Sequence, residues 1–113
     1  RYEPGGFFLP HADSPYDGGR AYCSLQTCMI YLNTQGSDYE GGYTRFYDER
    51  QQRYRPGEPE HVAAAFQPKA GSALIFNHLI THDGEEVTAG RKYILRSEVM
   101  YAPQRLPRAR EAL

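Results

Sequence analysis

The sequence contains no tryptophan, only two cysteines and only two lysines among its 113 residues. It also lacks an excess of either charge: thirteen Lys plus Arg stand against fourteen Asp plus Glu. That balance argues against a nucleic-acid or membrane-surface protein, whose partners demand a strongly basic face. No apolar run approaches the roughly 18 residues of a membrane-spanning helix. Leu, Ile, Val and Phe number only twenty, a scarcity that signals disorder when joined to high net charge, which is not the case here. The length allows one domain. The chain opens at Arg1 without a Met or a leader pattern, from which an excised domain or a processed chain is expected.

Ten tyrosines supply the missing apolar bulk and favour strands. Eleven glycines and eight prolines divide the chain into short segments. Cys23 and Cys28 fall in one expected strand, where about 16 Å and opposite faces would separate them, so they cannot bridge each other. They read as reduced thiols of a reducing, cytoplasm-like compartment.

Extended segments are expected over Phe7–Asp13, Ala21–Asn33, Thr44–Tyr47, His61–Gln67, Ser72–Asn77 and Arg91–Tyr101. Turn residues separate them, among them Pro68-Lys69-Ala70-Gly71. Thr34–Gly42 reads as a loop, Asp48–Glu60 as an Arg-rich loop, His82–Gly90 as a connection, and 103–113 as a charged tail. Short strands at this spacing indicate an all-β barrel or sandwich of the jelly-roll kind. In the last strand Lys92, Ile94, Arg96 and Glu98 share one face, suited to line a cavity. Tyr93, Leu95, Val99 and Tyr101 share the other, for which this chain offers little cover. Elements upstream of Arg1 are therefore expected.

His11 and Asp13, at i and i+2 of an extended segment, project from the same face. An imidazole and a carboxylate so placed can occupy adjacent corners of a divalent metal. A second histidine would complete the two-His-one-carboxylate arrangement of non-haem Fe(II) oxygenases. His61, His78 and His82 are the candidates, and spacing alone leaves all three open. The sequence after His82 favours it: Lys92 follows ten residues later. If those two strands pair, a ligand chelated at the metal could extend towards the ammonium.

These residues carry a resemblance. Arg1-Tyr2-Glu3-Pro4-Gly5-Gly6-Phe7-Phe8-x-x-His11-x-Asp13 resembles the first metal-binding strand of prolyl 4-hydroxylase-type 2-oxoglutarate/Fe(II) oxygenases. Tyr31-Leu32-Asn33, Gly41-Gly42-x-Thr44-x-Phe46, Pro68-x-x-Gly71-x-Ala73-Leu74-Ile75-Phe76 and His82–Tyr101 resemble later parts of that domain, in the same order. The resemblance spans residues 1 to 102 and implies a double-stranded β-helix, normally preceded by helices and extra strands. It implies Fe(II) on His11, Asp13 and His82, with 2-oxoglutarate and O2 as co-substrates and ascorbate as an accessory reductant. Lys92 matches the base that pairs with the distal carboxylate of 2-oxoglutarate. Tyr31 matches a tyrosine that can bond that carboxylate, and Tyr2 a further pocket tyrosine. The carboxylate at Asp13 points to hydroxylation, because halogenating relatives carry a small residue there.

Other readings compete residue by residue. His78 reads as a packing histidine or one that supports the ligands, and His61 as solvated. Arg96 and Thr44 are candidates to touch substrate or co-substrate. Arg45, Arg50, Arg53 and Arg55 form either a solvated charge run or a substrate lid. The leading expectation is a dioxygenase that hydroxylates a prolyl residue in a peptide or protein, releasing succinate and CO2. A hydroxylase of a free amino acid or small metabolite is the alternative on the same scaffold. A cupin-like metal-binding module without oxygenase activity is another, though it has no need of Lys92, and a non-catalytic domain has no need of the whole set.

Overall fold

The computed structural model describes residues 1–19, 22–48 and 61–103. Arg50, Arg53 and Arg55 of the expected lid, and the tail from residue 104, lie outside the described residues. Every regular element of the described residues is a strand: β1 (Phe8–His11), β2 (Cys23–Tyr31), β3 (Tyr39–Gly41), β4 (Thr44–Tyr47), β5 (Val62–Phe66), β6 (Ala73–Asn77), β7 (His82–Gly84), β8 (Val87–Gly90) and β9 (Ile94–Tyr101). They form a four-stranded sheet in the order β1-β7-β4-β5, a three-stranded sheet β6-β2-β9 and a two-stranded ladder β3-β8. All strand pairs are antiparallel. This is an all-β double-stranded β-helix of the jelly-roll kind, as the segment spacing implied.

Four expectations need correction. The loop Thr34–Gly42 contains β3, and the connection His82–Gly90 contains β7 and β8, which pair with strands distant in sequence. Short strands of Asp, Glu and Gly carry little β signal, and only their partners make them strands. The segments holding His82 and Lys92 do not pair: β7 lies between β1 and β4, whereas Lys92 bridges Tyr2. His61, expected to be solvated, is buried.

The apolar core is small and aromatic, consisting of Tyr31, Tyr39, Tyr47, Phe76 and Val87. Tyrosine thus replaces aliphatic bulk, at the cost of phenol groups that need partners. From Lys92 into the first residues of β9 the alternation holds. Lys92, Ile94 and Arg96 line an interior cavity, while Leu95 is 54% exposed on the opposite side. Leu32 and Ile75, from the neighbouring β2–β6 edge, are exposed too.

β2 departs from strict alternation, because its pairing with β9 shifts between Ser24 and Gln26. Ser24 and Thr27 are three residues apart, yet both are fully buried, and Leu25 between them is half exposed. An inserted residue reverses the side-chain parity of a strand, which a regular pleat cannot do. The bulge therefore turns two hydroxyls to the same side.

The β3–β4 junction depends on glycine. Gly41 and Gly42 both have φ near +71°, and a Cβ on Gly41 would stand 2.3 Å from the Glu86 carbonyl oxygen. A side chain there meets both the left-handed backbone penalty, about 1–2 kcal/mol, and a main-chain clash. Gly41→Ala is accordingly expected to lower unfolding free energy by more than about 2 kcal/mol, read as a shift of the urea midpoint. An unchanged midpoint would show that the junction relaxes freely.

Candidate metal centre

Strand register brings the two distant histidines together. His11 lies directly opposite His82 in the β1–β7 pair, where facing side chains stand closest. Their rings lie 4.4 Å apart. Phe76 packs on His82 at 4.5 Å, and Phe8 on His11 at 4.3 Å. Asp13 continues from β1, its N–H donating to the His78 carbonyl at 2.8 Å. One ligand atom each from His11, Asp13 and His82 can be chosen so that all lie within 4.8 Å of one another. Of the three second-histidine candidates, it is His82 that joins His11 and Asp13; His78 lies behind the group.

Both imidazoles are oriented alike. His11 Nδ1 donates to Leu9 O at 2.8 Å, and His82 Nδ1 to Ile80 O at 2.9 Å. Each ring thereby turns an Nε2 lone pair inwards, the tautomer that a metal ligand needs. His82 Nε2 is buried without a hydrogen-bond partner, with Asp13 Oδ2 at 3.6 Å. A buried orphan nitrogen normally costs about 1–3 kcal/mol, and a cation would satisfy it. Burial, aided by the nearby His11 and Arg96, holds His82 below its ordinary value despite the Ile80 bond and Asp13. The neutral, ligating form is therefore favoured. Two imidazoles and one carboxylate fit a non-haem Fe(II) ion, with coordination positions left open.

Burial alone would raise Asp13, but hydrogen bonds from Thr27 and Arg96, with the charge of Arg96, outweigh it and hold the carboxyl below its ordinary value. Thr27 Oγ1 donates to Oδ2 at 2.5 Å, and Arg96 Nη2 stands 3.2 Å from the same oxygen. Oδ1 faces His11 Nε2 at 3.3 Å.

The centre opens into a cavity of about 650 Å³, which Lys92 also lines, within the usual range for small-molecule sites. Lys92 is 4% exposed, and its Nζ donates to Gly42 O at 2.6 Å. No carboxylate of the described residues forms an ion pair with it. Burial pushes its pKa down to about 8, although Glu85 and Asp83 oppose that shift. Tyr2 and Tyr31 flank it, with ring centroids 5.7 and 5.8 Å from Nζ.

Tyr31 is not part of the cavity wall. Its hydroxyl bonds Thr44 Oγ1 at 2.6 Å, and Thr44 does line the cavity, as do Tyr2 and Arg96. Burial pushes Tyr31 up to about 12, so the phenol stays protonated. Arg45 is no lid residue: it grips Asp83 in a two-pronged pair at 2.9 and 2.6 Å, inside the β4–β7 ladder. Sequence reasoning missed Met29 and Phe8 on the wall and Thr27 behind it. Met29 and Thr27 share the β2 face of Tyr31, so period-two counting could have found both.

A model of the 2OG-Fe(II) oxygenase superfamily matches residues 1–97. No curated protein and no solved structure matches the chain. The family match covers most of the sequence, and the chain belongs to that superfamily. It is thereby an oxidoreductase of the dioxygenase kind, and the family implies Fe(II), 2-oxoglutarate and O2.

The electrostatics of Asp13 can be read by titration. Its folded value lies below the unfolded one, so its contribution to stability is complete above about pH 4 and lost as acid takes the pH down through the folded value. Arg96→Met is expected to raise the Asp13 carboxyl titration, followed by carbon NMR, and to bring acid unfolding to higher pH. An unmoved Asp13 titration would show that Arg96 does not stabilise the carboxylate.

Proposed function

We propose that this member of the 2OG-Fe(II) oxygenase superfamily hydroxylates a C–H bond of its substrate. His11, Asp13 and His82 would hold the iron, and Lys92 would bind the distal carboxylate of 2-oxoglutarate. One observation carries the reading: an imidazole nitrogen and a buried ammonium that find no hydrogen-bond partner and no ion-paired carboxylate, respectively, among the described residues line the same cavity. The first asks for a cation and the second for an anion, and a metal ion chelated by one end of a dicarboxylate, whose other end reaches the ammonium, would answer both.

Iron bound there would supply O2 activation coupled to decarboxylation of 2-oxoglutarate to succinate and CO2. The chain's own residues do the rest. The Leu9 and Ile80 carbonyls fix the two imidazoles, and Thr27 and Arg96 fix the carboxylate. Lys92 orients the co-substrate, aided by Thr44, which Tyr31 holds in place. Tyr2 closes the cavity beside the lysine. Phe8 and Phe76 pack on the two imidazoles and shield them from water. The carboxylate at Asp13 supports hydroxylation over halogenation.

The finer reading is a prolyl residue in a peptide. It is supported by the order of the motifs and by the exposed Phe7, Phe8 and Leu9 next to His11, an apolar rim that suits an extended chain. A free amino acid or small metabolite is the alternative, and substrate-length dependence separates them: a peptide hydroxylase turns over free proline poorly. Ascorbate rests on the resemblance alone.

Anaerobic titration of the Fe(II)-loaded protein with 2-oxoglutarate is expected to raise the visible absorption of the chelate. Lys92→Ala should need about 10- to 100-fold more 2-oxoglutarate, the worth of one charged hydrogen-bond pair. No absorption despite stoichiometric Fe(II) uptake would favour the cupin-like module instead. The pH dependence has a definite sign, because the anion-binding form of Lys92 is the ammonium. With its value depressed to about 8, affinity for 2-oxoglutarate should fall as pH rises through 8, well before an ordinary lysine discharges. In Lys92→Arg, whose guanidinium keeps its charge, that fall should be absent. Equal pH profiles for the two proteins would remove Lys92 from the site.

A further inference from the structure

Behind Asp13, away from the cavity, polar groups close into a ring. Thr27 Oγ1, which donates to Asp13 Oδ2, is also 2.8 Å from His78 Nδ1. His78 Nε2 is 2.8 Å from Ser24 Oγ, and Ser24 in turn donates to Glu98 Oε2. Glu98 Oε1 meets Arg96 Nη1 at 3.3 Å, and Arg96 Nη2 returns to Asp13 Oδ2 at 3.2 Å. Ser24, Thr27 and His78 are essentially fully buried. The Tyr16 N–H donates to Ser24 Oγ at 2.7 Å, which anchors the far side of the ring.

We infer that Thr27 and His78 are positioning residues that leave Asp13 one free oxygen for the metal. This rests on the metal-site reading above. Thr27 has a single hydroxyl hydrogen, and an ionised carboxylate can only accept, so that hydrogen goes to Asp13. His78 Nδ1 must then be the donor to Thr27, which fixes the direction of the hydroxyl. His78 also holds Asp13 through the main chain, since its carbonyl takes the Asp13 N–H. Oδ2 is thus occupied twice, by Thr27 and Arg96, with His82 Nε2 beyond hydrogen-bond reach at 3.6 Å, while Oδ1 faces His11 Nε2 at 3.3 Å. A carboxylate restrained in this way binds through one oxygen and does not rotate to chelate through both. Outer partners of this kind commonly set metal affinity.

The geometry depends on the β2 bulge, without which Ser24 and Thr27 could not face the same way. A ring that merely stabilised the fold would not alter the coordination of the metal, and this separates the two roles.

The test uses the metal-free full chain, titrated with Co(II) and followed by its visible bands, with thermal melting as a check on folding. Thr27→Val should bind Co(II) about 10- to 100-fold more weakly, with altered bands because the released Oδ2 can join Oδ1 on the ion. Thr27→Ser keeps the hydroxyl and should restore both affinity and bands. Ser24→Ala, further from the ion, should lie between them. A folded Thr27→Val with wild-type affinity and bands overturns the inference, as does an equal loss in Thr27→Val and Thr27→Ser. Should Thr27→Val not fold, Ser24→Ala decides, and wild-type behaviour there overturns it as well. Wild-type protein that takes up no Co(II) overturns the metal-site reading itself. Wild-type uptake with indifferent variants overturns only the positioning.

Discussion

The pairing of β1 against β7 is the contact on which the rest of this molecule depends. It places His11 opposite His82 across seventy residues of sequence, with ring centres 4.4 Å apart and each ring oriented by a main-chain carbonyl. A slip of one residue in β1 would turn His11 to the other face of the sheet and away from His82, which the β4–β7 pairing holds. Asp13 is then aimed by what lies beyond the strand: the His78 carbonyl on its N–H and the Thr27 hydroxyl on its carboxylate. The centre is built from main-chain pairing first and side-chain chemistry second.

Polarity inside the barrel is the second theme. Only six apolar side chains are buried among the described residues, the Pro68 ring included, against nine polar or charged ones. Each buried polar group must find a partner or destabilise the fold. Most do, in the Asp13–Thr27–His78–Ser24–Glu98–Arg96 ring and in the cluster of Arg45 and Tyr47 on Asp83. Two features of the cavity stand apart. Among the described residues His82 Nε2 has no hydrogen-bond partner, and Lys92 bonds a carbonyl but forms no ion pair with a carboxylate. Under the proposed function these are the two positions that a metal ion and an anionic co-substrate would fill.

The two ends of the cavity come from different sheets. The metal centre is formed by the β1–β7 edge, and Lys92 enters just ahead of β9 in the opposite sheet, held by its main-chain bridge to Tyr2. The separation between cation site and ammonium is therefore set by how the two sheets face each other. Under the proposed function, that spacing would select for the length of the dicarboxylate.

Much of this was legible in the residues. The period-two pattern of β9 placed Lys92, Ile94 and Arg96 on the cavity side, and His-x-Asp in an extended segment placed two donors on one face. Such facts are local, because side-chain direction in a strand follows from sequence parity. The sequence could not choose among His61, His78 and His82 by spacing, since the choice lies in which strands pair, and pairing is a long-range event. Nor could it show the bulge after Ser24, which reverses parity and brings Thr27 and Ser24 onto His78. The hydroxyl of Tyr31 likewise turned out to act through Thr44. By itself, then, the sequence determined the strand character, the candidate donors and the family resemblance, because these depend on neighbours in the chain. The tertiary structure decided which histidine joins the centre, which groups hold the carboxylate and where the buried charge sits, because those depend on residues that only folding brings within a few ångströms.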